Sequence, residues 1–584
     1  MRSADKLPDL LILLAAFALT AVYALSVSGF PLDDSWIHQT YARNLALTGQ
    51  WAFIPGVPST ASTSPLYTVV LAAGYALGVP YALWTHALGA LALGLAGVIG
   101  RRLGMIGGAL FVPKLRGVGL ITGLALVFAW HLIWAAASGM ETMLFSMLTL
   151  ALIWLGWREA LTPQPPLPEG EGEKNTAQVS SPLGKDVWKT RVDSPLPEGE
   201  GQGVRAISGV IFGIVGGLAT LARPEGALLV GMVGLALLIA RPRRTWTQMI
   251  VWGVVAGIAY LLTLAPYLLF NLNLTGGLLP NTAAAKQAWA EPLLAMPLGW
   301  RLQQLLTPLA AGGQLLLVPG MLVFGMIVIA PHPPAPSPHE QVRPQAGRGG
   351  ESLSPNTSPL PGELRSYGEG LGVRAVLLLP VLWGAALILL YALRLPLPFQ
   401  HGRYVIPALP ALIVAGVIGT AWLYQRALGS IIGRVLGRTL ALACALLFVV
   451  FAFTFGLNAF RQDVTIIEQE MVTAAHWIAA NLPPDELLAI HDIGAVGYFA
   501  PRPMLDIAGL VTPEVVPIIL DGDALWALMQ ERGAVYLMAM DDQVPNDDPN
   551  DPRLCPIFDT EGAVAPVQGG SNVVIYRLDW DANC

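Results

Sequence analysis

Charged residues are scarce in this chain of 584 residues, because Asp, Glu, Lys and Arg together make up only 12% of it. Soluble domains carry about a quarter. Hydrophobic residues reach 54%, and several apolar runs are about 20 residues long, which is the helix length that crosses roughly 30 Å of hydrocarbon. The composition therefore excludes a soluble, collagen-like or disordered protein for most of the chain. It predicts a polytopic α-helical membrane protein.

Cysteine and clustered basic residues are also scarce. Three cysteines are too few for a disulfide scaffold, although Cys555 and Cys584 can pair if the C-terminal region lies in an oxidising compartment. Cys444 lies in an apolar run, where it behaves as a small hydrophobic residue. A net charge of -6 without a basic patch excludes nucleic acid as a partner.

The apolar runs define the candidate membrane spans and their direction. If Arg2 and Lys6 hold the N-terminus in the cytoplasm, the first loop (30–64) is outside. The basic segment from Arg101 to Arg116 is best placed inside, so an odd number of crossings must separate it from that loop. One or three crossings between residues 64 and 100 satisfy this rule, and the total is then 11 or 13 helices. The first run is interpreted as a retained helix, since it exceeds a signal-peptide core. The other candidate spans are 117–137, 140–157, 206–222, 225–240, 248–270, 303–330, 374–394, 404–424 and 438–457.

Two domains are predicted, a membrane domain over 1–460 and a soluble domain over 461–584. Segments 163–205 and 331–373 interrupt the membrane pattern and repeat one another, with PLPEGEG at 166–172 and again at 195–201. Their Pro-, Gly- and Ser-rich composition predicts disordered cytoplasmic insertions. The runs LLAIHDI, AVYLMAM and NVVIYRL predict strands and DALWALMQERG a helix, so the last region is expected to be a small extracytoplasmic α/β domain.

The unusual polar motifs all fall outside the cytoplasm by this count. Asp33 and Asp34 lie in the first outer loop (30–64), and the later motifs are SGMET, ARPEG, LLPNTAAAK and HGRY. A lipid phosphate leaving group needs Arg or Lys donors to take up its developing charge. An acceptor hydroxyl needs a carboxylate as general base. The outer face therefore carries the parts for a reaction on a phosphorylated lipid.

The run LDDSWIHQTYARNLALTGQWAFIPG, followed by STSPL, resembles the first outer loop of GT-C-type polyprenyl-phosphate-dependent glycosyltransferases, in particular their arabinofuranosyltransferase-like and mannosyltransferase-like members. SGMET, ARPEG, LLPNTAAAK, HGRY and DIGAVGYF…DIAGL follow in the same order as in that family. The resemblance implies an enzyme of the bacterial cytoplasmic membrane, working on its extracytoplasmic face. Its partners would be a polyprenyl-phosphate sugar donor, a glycan, protein or lipid acceptor, and membrane lipids.

The resemblance also implies roles for individual residues in an inverting sugar transfer. Asp33 or Asp34 would be the catalytic base. Because an Asp just before a helical pattern commonly caps the helix, we interpret Asp34 as the cap-adjacent residue and favour Asp33 as the base. Arg403 would hold the lipid phosphate, with Lys286 and Arg223 as second choices. Four further residues are candidates for substrate binding: His401, Tyr404, Arg43 and Glu141.

Each of these residues also has a structural interpretation. Arg223 can form an ion pair with Glu225, and Glu141 can complement a helix dipole. Near the membrane surface, Arg403 and Tyr404 can be interfacial anchors. Lys286 can extend its side chain to that surface. His38 and His401 lack a zinc-binding spacing, so no metal site is predicted and no cofactor is certain. A divalent cation at Asp33 and Asp34 is still compatible with carboxylate ligands. His491, Asp492 and Asp506 are interpreted as turn residues in preference to a second active site.

Two other functions fit the same sequence. A flippase for lipid-linked sugars would carry internal repeats and ionisable residues at the membrane midplane, whereas here the polar motifs gather at one surface. A non-catalytic receptor for lipid-linked sugar also fits the sequence. Consumption of the donor distinguishes the enzyme from both.

Overall fold

The computed structural model describes residues 3–59, 62–161, 202–240, 245–275, 282–330 and 371–584. The two predicted insertions therefore lie almost entirely outside the described residues. Helices follow the apolar runs, and the chain is a polytopic helical membrane protein as the composition predicts. The helices of the membrane domain are Ser3–Ser26, Asp33–Thr48, Pro65–Ala76, Tyr81–Phe111, Val118–Val127, Trp130–Ala137, Thr142–Leu161, Gln202–Ala222, Gly226–Ala240, Trp246–Thr275, Thr282–Trp289, Glu291–Leu294, Leu298–Ala310, Val318–Ile329, Leu371–Leu377, Leu379–Arg394, Phe399–Gly402, Leu409–Ala427 and Ile431–Phe451.

In the described ranges, six helices are long and apolar enough to cross a membrane, and two bent helix pairs bring the total to eight. Four shorter apolar helices also belong to the bundle. The predicted count of 11 or 13 spans stays a prediction. The six long helices are Lys6–Ser26, Tyr81–Phe111, Thr142–Leu161, Trp246–Leu274, Phe399–Ala427 and Ile431–Asn481.

The stretch between residues 64 and 100 contains one long helix. Pro65–Ala76 has 12 residues, about 18 Å at 1.5 Å per residue, which is too short to cross the hydrocarbon. Tyr81–Phe111 has 31 residues, so a single crossing is favoured over three. Arg101 and Arg102 lie within this helix and donate to Asp9 at 3.0 Å each. The start of the first helix and the two arginines therefore lie at the same end of the bundle, as the charge rule requires.

A continuous run of helix connects the membrane bundle to the C-terminal domain. It passes from Ile431–Phe451 through the π-helical turn Ala452–Gly456, Leu457–Ile467 and a second π turn, Glu468–Val472, to Thr473–Asn481. The predicted boundary at residue 460 thus falls inside a helix. A continuous helix limits how freely the two domains can move against each other.

The C-terminal domain is built on a five-stranded sheet. A short hairpin in the first outer loop contains β1 (Ala52–Ile54) and β2 (Val57–Pro58), and the domain adds β3 (Leu488–Ile490), β4 (Met504–Asp506), β5 (Tyr536–Ala539), β6 (Leu554–Asp559) and β7 (Val574–Leu578). The strand order is β4-β3-β5-β7-β6, with β4, β3 and β5 parallel and the other pairs antiparallel. Three helices complete the domain: Gly494–Phe499, Gly522–Glu531 and Val564–Val567.

A disulfide joins Cys555 in β6 to Cys584, with the two Cα atoms 5.4 Å apart. The sequence left open whether Cys555 and Cys584 form a disulfide, and in the structure they do. The bond closes a loop of about 30 residues, and such cross-links stabilise small domains by restricting the unfolded chain. It fixes the last residues against the edge strand of the sheet.

Candidate active site

The two aspartates of the first outer loop diverge because they are consecutive residues of one helix. Asp33 and Asp34 open the helix Asp33–Thr48, whose N-cap is Leu32. Neighbouring residues of an α-helix project about 100° apart. Asp33 contacts the C-terminal domain, whereas Asp34 contacts the later loops of the membrane domain.

Asp33 binds the C-terminal domain through its whole carboxylate. Its Oδ2 accepts the backbone N–H of Gly494 at 2.6 Å and its Oδ1 that of Ala495 at 2.8 Å. These amides begin the helix Gly494–Phe499, which we call the docking helix. Asp33 is thus a helix cap, but for a helix 461 residues away in sequence. The sequence-based preference for Asp33 as the base is not favoured by this geometry, because both carboxylate oxygens are already bonded.

Arg43 contacts the other end of the docking helix. It donates to the carbonyl of Tyr498 at 2.7 Å and to that of Gly497 at 3.3 Å, and it stacks on the Tyr498 ring at 4.5 Å. An anion at the N-terminus and a cation at the C-terminus both complement the helix dipole. The structure therefore places Arg43 in the domain contact, away from the other predicted substrate-binding residues.

Asp34 lies between two cations contributed by distant segments of the chain. Its Oδ2 is 2.6 Å from Arg403 and 3.5 Å from Lys286. Although burial raises the pKa of Asp34, the charges of Lys286 and Arg403 outweigh it and hold this pKa well below its usual range. Burial and the neighbouring Asp492 instead raise the pKa of Asp33 to about 8. The two adjacent acids thus have opposite environments, a pattern that assigns different roles in catalytic carboxylate pairs.

Tyr404 connects Asp34 to a second group of charges. Its ring centre is 4.9 Å from the Arg403 guanidinium carbon and 5.7 Å from both Lys286 Nζ and the Arg223 guanidinium carbon. The Tyr404 hydroxyl also accepts from Arg403 at 3.0 Å. Three predicted phosphate-binding cations therefore surround one aromatic ring.

Arg223 and Glu141 continue the network. Arg223 lies 3.5 Å from Glu225 and 3.8 Å from Glu141, and it donates to the Tyr391 hydroxyl at 2.5 Å. Glu141 lies 3.3 Å from His38. The expected ion pair of Arg223 with Glu225 is present, and it belongs to the same buried network as the candidate site.

His401 lies in a separate cluster although it precedes Arg403 by two residues. Its Nε2 is 2.8 Å from Asp463 Oδ2, which also accepts the Trp134 indole N–H at 2.9 Å. Sequence reasoning missed Asp463 and Trp134. A lone acid near an apolar span is the signal that could have identified Asp463.

The cluster holds a strained loop beside Arg403. Gln400 and His401 have φ values of 45° and 60°, in the left-handed region that costs non-glycine residues about 1–2 kcal/mol each. The bond from His401 to Asp463 anchors this loop. If Arg403 holds the lipid-linked donor, as the family resemblance implies, this anchor makes His401 a residue that positions Arg403.

Replacing His401 with Ala is therefore expected to weaken donor binding about tenfold while leaving the chemical step intact, because the loop that carries Arg403 loses its anchor. The effect should appear in KM for the lipid-linked donor and much less in kcat. Gln400→Gly is the matched control, since it relieves strain at the adjacent position without removing a bond. Equal loss of kcat and kcat/KM in His401→Ala would instead place His401 in the chemical step.

The side chains around Asp33 and Asp34 do not fit the ligands that a divalent cation needs. Asp33 is bonded to two amides, and Asp34 already faces two positive side chains that would repel a metal ion. Across the described part of the chain, the one set of three or more potential ligands within reach of a single ion comprises Cys555, Asp579 and Cys584. Its two cysteines form the disulfide.

Comparison with known proteins supports the fold. The chain is 14% identical to ArnT from Cupriavidus metallidurans, solved bound to undecaprenyl phosphate, with a TM-score of 0.52 over 99% of this chain and 98% of that one. It is 12% identical to the oligosaccharyltransferase of Archaeoglobus fulgidus, with a TM-score of 0.53 over 98% of this chain and 75% of that one. These similarities show that the chain has the GT-C fold that the resemblance implied.

Sequence comparison adds little beyond the fold. A Domain of unknown function (DUF8728) matches residues 462–576, within the C-terminal domain. No curated protein matches the chain. The arabinofuranosyltransferase-like or mannosyltransferase-like assignment therefore stays a prediction.

Proposed function

We propose that the protein is a membrane glycosyltransferase that moves a sugar from a polyprenyl-phosphate donor to an extracytoplasmic acceptor with inversion. The observation that carries the proposal is the contact of Asp34 with Arg403 and Lys286, at 2.6 and 3.5 Å. It places a carboxylate beside two cationic side chains, the groups that a general base and a phosphate-binding site require. ArnT is solved with undecaprenyl phosphate, and the archaeal oligosaccharyltransferase with dolichol-phosphate and an inhibitory peptide, so the same fold binds this class of lipid.

The proposed reaction assigns each group one task. Asp34 accepts the proton of the acceptor hydroxyl, and the acceptor oxygen forms a bond to the anomeric carbon. The bond from that carbon to the phosphate oxygen breaks, and the phosphate keeps the electron pair. Arg403 and Lys286 stabilise the charge of the departing lipid phosphate through charge-assisted hydrogen bonds.

Donor binding is also expected to activate Asp34. Without donor, Arg403 and Lys286 pair with the carboxylate and make it a weak base. A lipid phosphate that binds the same cations draws them away from Asp34. The pKa of Asp34 then rises, which makes the carboxylate a better proton acceptor when substrate is present.

This coupling predicts a difference between two pH profiles. The acid limb of kcat/KM reports the free enzyme, where the Asp34 pKa is below its ordinary value of 3.8. The acid limb of kcat reports the donor complex, so it should lie at higher pH. Identical acid limbs, measured with donor below and above saturation, would contradict the proposed competition for Arg403 and Lys286.

We assign the reaction to the extracytoplasmic face, which the charge rule favours, and to a bacterial cytoplasmic membrane, which the family resemblance implies. The contact of Asp9 with Arg101 and Arg102 supports the helix directions on which that rule depends. The C-terminal domain lies against the first outer loop, so both would face the same compartment.

The test is donor consumption by purified protein. Polyprenyl-phosphate sugars labelled in the sugar are supplied in lipid nanodiscs, and release of free lipid phosphate is measured. An enzyme transfers the label to an acceptor or, more slowly, to water. Unchanged donor that changes leaflet in proteoliposomes would identify a flippase, and unchanged donor that only binds would identify a receptor.

A further inference from the structure

The C-terminal domain contains a cavity of about 210 Å³ that the proposed reaction does not use. It opens where the domain meets the helix Thr282–Trp289, which carries Lys286. Its lining combines acids, amides, one imidazole and apolar side chains, among them Trp289, His491, Leu525, Asp542, Gln543 and Asp547.

The fold explains why these side chains converge. Strands β4, β3 and β5 are parallel, so their carboxyl ends share one edge of the sheet. His491 directly follows β3, Ile507 follows β4, and Asp542 lies in the turn after β5. Ligands of open α/β sheets bind in the crevice outside these carboxyl ends.

The chemistry of the lining fits a neutral sugar ring. Asp542 and Asp547 accept hydrogen bonds from hydroxyl groups, and the exposed Trp289 indole offers an apolar face for a ring; 38% of this residue is accessible. The two carboxylates would repel an anionic ligand. The volume is below the roughly 300–1,000 Å³ of pockets for drug-sized ligands, which suits one monosaccharide unit.

The backbone around the cavity is also strained. Asn546 and Asp547 both have positive φ values, 68° and 52°, although neither is glycine. Asn546 is held there by a bond to Asp523 at 3.0 Å. Consecutive left-handed residues of this kind concentrate at binding sites, where surrounding contacts maintain them.

Two connections link the cavity to the candidate active site. Gln543, in the cavity wall, donates to Asp492 at 2.7 Å, and the charge of Asp492 acts on Asp33. Trp289 follows Lys286 by three residues in one helix, so both lie on the same side of it. The cavity wall and the Asp34 site therefore share the helix Thr282–Trp289 and are connected through Gln543 and Asp492.

We propose that this cavity is the acceptor subsite and binds a neutral sugar unit of a glycan acceptor. The inference rests on the proposed glycosyl transfer, because it assigns the second substrate of that reaction. Asp492 and Gln543 then connect acceptor binding to the acid pair of the first outer loop.

The test measures sugar binding without catalysis. Full-length protein in nanodiscs is examined by saturation-transfer NMR with methyl glycosides of neutral hexoses and pentoses and with a methyl uronide. We expect saturation of ring protons for at least one neutral glycoside and none for the uronide. Trp289→Ala and Asp542→Asn should each reduce that signal at least fivefold, whereas the adjacent Asp541→Asn, whose side chain is outside the cavity, should not.

The outcome is separable from the test of the proposed function. Absence of a signal for every neutral glycoside, or a signal that survives both Trp289→Ala and Asp542→Asn, overturns the acceptor subsite even if the donor is consumed. Absence of donor consumption by the unmodified protein, with sugar binding present, overturns the transferase proposal instead. Binding that persists in Asp34→Asn would show that the sugar site is distinct from the base.

Discussion

Asp34→Asn is expected to reduce sugar transfer by about 10²- to 10⁴-fold, the contribution of a positioned general base. The amide cannot accept the proton of the acceptor hydroxyl. Donor binding should persist or tighten, because Arg403 and Lys286 lose their carboxylate partner and are free for the lipid phosphate. The measurement is kcat for donor consumption together with the donor dissociation constant.

Asp33→Asn is the matched control, since the same substitution is made one residue away. Asn keeps one acceptor oxygen for the docking helix, so we expect a modest loss of activity and a lower unfolding temperature. A large loss of kcat in Asp33→Asn with full activity in Asp34→Asn would reverse the assignment. It would restore the preference that the sequence alone gave for Asp33.

The sequence could not separate these two acids for a physical reason. Consecutive helical residues have the same local pattern, and their environments depend on partners far along the chain. Asp33 meets Gly494 and Ala495, whereas Asp34 meets Lys286 and Arg403. Only the tertiary fold determines which partner each carboxylate contacts.

Charge and hydropathy predicted correctly those features of the fold that depend on the local sequence pattern. The helical membrane fold follows from long apolar runs, and the polar motifs that contain Asp34, Lys286, Arg223 and Arg403 do converge. Arg43 and His401 were grouped with them because cationic residues near a membrane face look alike in sequence. Arg43 instead binds backbone carbonyls of the docking helix, and His401 pairs with Asp463.

The short elements of the C-terminal domain were harder to predict. The strands β3, β5 and β7 are visible as apolar runs, whereas β4 follows Pro503 and ends on Asp506, and the docking helix has only six residues. Gly494 and Gly497 look like turn residues in DIGAVGYF. The structure shows that their lack of side chains permits close approach, since a Cβ at Gly497 would lie 2.2 Å from the Phe53 ring.

Gly494→Ala should therefore separate the C-terminal domain from the first outer loop. An added Cβ would lie 2.1 Å from the backbone oxygen of Asp33 and 2.6 Å from its Oδ2, and a backbone atom cannot move aside cheaply. Overpacking of this kind costs about 1–3 kcal/mol. We expect faster proteolysis of the C-terminal domain and at least a tenfold loss of donor consumption.

The loss of activity follows because the C-terminal domain supports both sides of the Asp34 pocket. The docking helix holds Asp33, and the turn at Gly509 packs against Ala285, adjacent to Lys286, where a Cβ on the glycine would lie 3.6 Å from that of Ala285. Gly570→Ala is the control in the same domain, since its nearest contact would be 3.4 Å. If Gly494→Ala and Gly570→Ala have the same protease resistance and activity, the docking helix does not organise the site, and the membrane domain alone positions Asp34 against its cations.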